Sequence, residues 1–143
     1  MAAEVSFYTG VSDRLHFATR LLRKAYGSGA RVLVLGPASL LSRLDAALWT
    51  QEPTDFVPHL LLRGDVDEAL LKATPIVLAE RQDAAPHCRT VLNLGADFMA
   101  DVAALDRVLE VLSSEPEQVQ AGRRRYKAYR EMGLDIKHHE VNA

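Results

Sequence analysis

Three short stretches, "RVLVL" at residues 31–35, "PIVLAE" at 75–80 and "TVLNLG" at 90–95, are apolar at successive positions rather than at every second one. A strand of this kind buries both faces, which requires a parallel sheet with chain packed on each side of it. The segments around them carry helical spacing. Ser12 or Asp13 is placed to cap a helix through Leu15, Ala18, Leu22 and Ala25 that Gly27 and Gly29 end. Leu41, Leu44 and Leu48 form the stripe of a second helix, with Ser39 as its cap. With residues 5–9 as an opening strand, the alternation predicts a three-layer α/β fold, a mostly parallel sheet flanked by helices and Rossmann-like in layout. At 143 residues and 48% hydrophobic content, the chain reads as one domain spanning 1–143.

Further along, residues 65–72 predict a short helix after an irregular, proline-punctuated stretch that follows Trp49. Residues 99–112 show helical periodicity, with Val102, Leu105, Val108, Leu109 and Leu112 on one side. A last helix starts at Ser113 or Ser114, carries Pro116 in its first turn and ends near Gly133. The longest apolar runs, such as 32–35 and 59–62, fall far short of the roughly 20 residues a membrane span needs. With no basic region leading into an apolar stretch at the N-terminus, the expectation is a cytoplasmic protein without a membrane partner. The lone Cys88 makes no internal disulfide.

A doubly wound sheet that binds nucleotides does so through a glycine-rich turn after a strand, where backbone N–H groups and a helix N-terminus hold phosphate. The corresponding turns here, "YTGVSD" and "LGPAS", match neither the dinucleotide nor the P-loop pattern. The five histidines lack metal-binding spacing, and His138 and His139 read as solvated tail residues. His87 and Cys88 are adjacent in sequence, but a thiol nucleophile needs spatial contact with its base, so a loop is the simpler reading. No carboxylate pair stands out for acid/base work. The sequence therefore predicts no enzyme, cofactor or metal.

Two stretches ask for an explanation. In "AGRRRYKAYREMG", residues 121–133, a slightly acidic chain gathers five positive side chains: residues 121–137 hold six basic and two acidic side chains, leaving −6 on the remainder of a protein whose formal charge is −2. Arg123, Tyr126, Lys127 and Arg130 fall at i, i+3, i+4 and i+7, one helical stripe with an aromatic ring among three cations. Tyr126 also lies seven residues from Val119, so its ring leans toward the protein body and the stripe borders a small apolar dent. Such a stripe suits a solvated helix face, a nucleic-acid patch or a receptor for something small and acidic. The uneven charge favours a local site over general binding to a phosphate polymer. The second stretch, "RLDAALWTQEPTDFVPH" at 43–59, places Trp49 at the edge of the buried stripe and Phe56 and Pro58 in the following loop. These residues form either a partner-contact patch or a cover for the end of the sheet.

"RLDAALW…FVPH" and "RRRYKAYREMG", in this order and about 70 residues apart, together with the opening "VSFYTG", resemble the chi subunit of bacterial DNA polymerase III holoenzyme. The resemblance spans nearly the whole chain, except for the divergent segment 63–89 and the last residues, "LDIKHHEVNA", which carry no family motif. It implies a non-catalytic α/β subunit attached to the clamp loader, with DNA only an indirect partner. It also implies that Arg123, Tyr126 and Lys127, with Arg130 beside them, bind the acidic, phenylalanine-tipped C-terminal tail of single-stranded-DNA-binding protein. Trp49, Phe56 and Pro58 are then implied to bind the psi subunit or another clamp-loader or replication protein. The alternative is a direct single-stranded nucleic-acid module using the same basic helix, with Tyr126 or Tyr129 stacking on bases.

Overall fold

The computed structural model of the chain describes residues 3–50, 57–63, 66–95 and 102–141. In chain order the elements are β1 (Glu4–Thr9), α1 (Arg14–Gly27), β2 (Val32–Leu35), α2 (Ala38–Thr50), β3 (His59–Leu61), α3 (Glu68–Ala73), β4 (Ile76–Ala79), β5 (Thr90–Asn93), β6 (Arg107–Val111), α4 (Pro116–Glu131) and β7 (Asp135–Glu140). The strands make one sheet in the order β3-β4-β2-β5-β6-β1-β7. Every pairing in it is parallel. This is the three-layer α/β arrangement predicted from the two-sided apolar runs, with β2 and β4 buried at every position.

The path of the chain decides which face each helix covers. From β1 through β2 to β3 the chain moves toward one edge, and α1 and α2 pack on one face through Ala18, Leu22, Leu41, Leu44 and Leu48. From β3 onward it moves back toward the other edge, so the same right-handed crossover puts α3 and α4 on the opposite face, with Leu71 and Tyr129 in that core. β1 feeds one face and its neighbour β6 feeds the other. Their carboxyl ends therefore flank a point where the connections diverge, the place where a doubly wound sheet leaves a crevice.

Asp13 caps α1, its side chain accepting the His16 N–H at 3.0 Å, and Gly29 beyond the helix holds φ 83°. α2 begins at Ala38, one residue before the predicted cap. The helix predicted over 99–112 is corrected. Residues 96–101 lie outside those described, 102–104 form a single 3₁₀ turn, and Arg107–Val111 is a strand. Val108 and Leu112 enter one core while Leu109 and Val111 enter the other, so two-sided burial imitated a helical stripe. His138 and His139, expected to be solvated tail residues, belong instead to edge strand β7, which pairs with β1 along its whole length. Of the short helix predicted over 65–72, residues 68–73 are helical and residue 65 lies outside the described residues.

Candidate functional site

α4 approaches the sheet closely because residue 122 is glycine. A Cβ at Gly122 would lie 2.3 Å from Leu112 Cδ1, a separation side chains do not tolerate. The start of the helix is held by the turn before it, where Ser113 N–H donates to Gln118 Oε1 at 2.7 Å and Glu115 N–H donates to Ser113 Oγ at 3.2 Å. Pro116 opens the first turn, as its missing N–H permits.

The inward stripe of α4 is Gly122, Arg125 and Tyr129. Arg125 donates to Glu110 Oε1 through Nε and Nη2, each at 2.9 Å. The other carboxylate oxygen accepts the Tyr129 hydroxyl at 2.6 Å and Asn93 Nδ2 at 3.1 Å. Glu110, Tyr129 and Asn93 are fully buried and Arg125 nearly so. Burial raises the Glu110 pKa against the opposing pull of Arg125 and the Tyr129 and Asn93 donors. The Tyr129 phenol is pushed far up, first by burial and then by the neighbouring carboxylate. One of the five cations between 121 and 130 is thus an internal anchor that joins α4 to β6. Nothing local in the sequence distinguishes it from its neighbours.

Arg123, Lys127 and Arg130 are exposed, and Tyr126 is 40% exposed with its ring centroid 5.5 Å from that of Phe7. Beside them lies a hollow of about 400 Å³ at the carboxyl ends of β1 and β6. Phe7, Leu112, Val119 and Tyr126 give it apolar walls, while Arg123, Thr9, Ser113 and His138 supply polar groups. Of the four residues predicted for this site, Arg123 and Tyr126 line the hollow. Lys127 and Arg130 stand on the exposed side of the same helix, outside the lining. The dent expected beside Tyr126 is present. Tyr129 is fully buried, so the base-stacking role considered for it is ruled out. Sequence reasoning missed Phe7, Thr9 and His138. The period-2 spacing of Ile136 and His138 in "DIKHHE" was the available signal.

At the second predicted patch, Trp49 projects from the last turn of α2, 58% exposed, rather than covering the end of the sheet. Its ring meets that of His59 edge-on at 5.0 Å. His59 is oriented by Asp45 Oδ1, 3.1 Å from Nε2, and by the Val57 carbonyl, 2.7 Å from Nδ1. Pro58 is half-buried where the chain enters β3, and Phe56 lies outside the described residues. Cys88 is buried in the core and its thiol is pushed up to about 11, mainly by burial, which does not suit a nucleophile. Among the described residues, no three His, Cys, Asp or Glu side chains group as metal ligands, and no helix is long and apolar enough to cross a membrane.

Fold and hollow together define the class: a doubly wound α/β protein with no phosphate-binding loop among the described residues and an apolar recess lined by Arg123, with further cations on the same helix, at the carboxyl end of its sheet. Comparison with known proteins gives the family. Residues 2–137 match the family described as DNA polymerase III chi subunit, HolC, and the chain belongs to it. The chain is similar to the DNA polymerase III subunit chi of Pseudomonas aeruginosa, 30% identical over 131 residues that cover 91% of this chain and 88% of the relative. It is similar to the subunit of the same name from Escherichia coli, 30% identical over 129 residues covering 89% and 85%.

Proposed function

We propose that this chi-family chain is a non-catalytic, cytoplasmic accessory subunit, a single domain over 1–143, that bridges the clamp-loader assembly of the replicative polymerase to single-stranded-DNA-binding protein. The observation that carries this reading is the hollow itself, apolar within and cationic at its edge. An acidic tail ending in phenylalanine has complementary parts. Its ring fits between Phe7, Leu112, Val119 and Tyr126, and its terminal carboxylate reaches Arg123, whose guanidinium can offer two parallel bonds. The upstream acidic residues then lie along the exposed Lys127 and Arg130. Burying one phenylalanine contributes about 1.5–3 kcal/mol, and each exposed ion pair about 0.2–1 kcal/mol. After ordering costs, the affinity is on the order of micromolar, weak enough for rapid exchange.

Fluorescence anisotropy with a labelled acidic peptide ending in phenylalanine tests this. Tyr126→Ala and Lys127→Ala should each weaken binding several-fold with the circular dichroism unchanged, and unaltered affinity in both would overturn the site. A labelled single-stranded oligonucleotide should bind negligibly. The basic helix offers less for such a ligand than its sequence suggests, because Arg125 and Tyr129 face inward. The Trp49, Phe56 and Pro58 surface is assigned to the psi subunit or another clamp-loader or replication protein. Capture of that partner from native lysate by the wild-type chain, and its loss with Trp49→Ala or Phe56→Ala, is the expected result.

A further inference from the structure

We infer that His138 is a specificity residue of the hollow and links capture of a carboxylate-ended occupant to uptake of a proton. The inference rests on the tail-site reading above and adds to it a residue and a pH response. His138 sits on β7 in register with Phe7, so the two side chains share the α4 face of the sheet. It lines the same hollow as Arg123. Its Nε2 is 2.7 Å from Thr9 Oγ1. A threonine hydroxyl both donates and accepts, so this bond survives either charge state of the ring and fixes its orientation. Nδ1 is left for an occupant.

The charges around this imidazole set the sign of the effect. Arg123 and Tyr126 line the same hollow from α4. Thr9 and Phe7 line it from β1, Ser113 and Ser114 from the turn after β6, and Glu140 lies two residues along His138's own strand. Lys137 alternates to the other face and pairs with Glu4 at 3.1 Å. Among the described residues, no carboxylate lines the hollow. A carboxylate arriving in the hollow brings a negative charge to the ring and favours the imidazolium, which then donates from both nitrogens. Imidazole is the side chain that ordinarily changes charge between about pH 5 and 8. By reciprocity, a ligand that draws a proton onto the site binds more tightly as pH falls.

Titration calorimetry of the full chain tests this, using an acidic peptide ending in phenylalanine at pH 6, 7 and 8 in buffers of different ionisation enthalpy. The expected result is roughly three- to tenfold tighter binding at pH 6 than at pH 8 with net proton uptake, and a reduced slope when the peptide's terminal carboxylate is amidated. His138→Gln, neutral at every pH, should bind with a flat profile. His139→Gln should keep the wild-type slope, since His139 stacks on Tyr8, 4.9 Å between ring centroids, and faces away from the hollow. A flat wild-type profile, or a slope that persists in His138→Gln, overturns the inference and leaves the tail site standing. Absence of binding at every pH removes the tail site and this inference with it.

Discussion

Replacing Arg125 with methionine tests whether α4 is held in place by a buried ion pair or by packing alone. The substitution keeps most of the side-chain volume and leaves Glu110, fully buried, with only Tyr129 and Asn93 as donors. Removing one partner of a buried pair costs about 3–5 kcal/mol, because the remaining charge stays desolvated. An unfolding entropy of about 2.1 cal/mol/K per residue gives ~0.3 kcal/mol/K for 143 residues, so a loss of ~4 kcal/mol lowers Tm by about 13 °C. The deficit also has a pH signature. Glu110 already has a raised pKa in the fold, and loss of Arg125 removes the largest influence pulling it down. A carboxyl whose folded pKa lies above its unfolded value gives stability that is complete below the unfolded value and is lost as pH rises through the folded one. The Arg125→Met deficit should therefore be largest near pH 8 and shrink toward pH 5. Chemical denaturation of Arg125→Met, Glu110→Gln and the double variant at both pH values supplies the cycle, with a coupling of at least ~2 kcal/mol expected. Single variants that each cost under ~1 kcal/mol, or effects that simply add, would refute the reasoning.

Gly122→Ala should cost about 1–3 kcal/mol in urea denaturation and weaken tail-peptide binding, because the new methyl displaces the Leu112 side chain that walls the hollow. Trp49→Ala should change stability by less than ~0.5 kcal/mol by calorimetry, its ring being mostly exposed. Tail-peptide affinity should fall several-fold as sodium chloride is raised from about 50 to 300 mM, since Arg123, Lys127 and Arg130 act in the open; a salt-independent affinity would contradict their role. Cys88 should resist alkylation at pH 7.5 in the native protein and react readily in urea, as mass spectrometry would show.

How much of this was readable in the sequence depends on where each residue's partners lie. β2, β4 and β5 are apolar at successive positions, so their burial and their parallel pairing were evident from local composition. The stripe holding Arg123 and Tyr126 follows from helical spacing alone. β6 was hidden because burial on both faces reproduces helical spacing, and because Glu110 interrupts the run with a carboxylate whose partners come from β5 and α4. Edge strand β7 packs little beyond Ile136 against the core, and a strand that polar resembles a tail until its pairing with β1 is known. The hollow needed both chain halves, so no single window of sequence contained it.

That division has a kinetic side. Parallel partners for Val5 and Phe7 arrive about a hundred residues later, at Val108 and Glu110 of β6, and later still at Ile136 and His138 of β7. During synthesis at ~5–20 residues per second, "VSFYT" therefore waits roughly 5–20 s without its neighbours, an apolar segment that nascent-chain chaperones can hold. Long-range parallel closure is also intrinsically slow, so refolding from denaturant should be paced by the insertion of β1 between β6 and β7. Competence to seize a peptide would then appear in step with that final closure, which makes ligand capture a direct clock for the completion of folding.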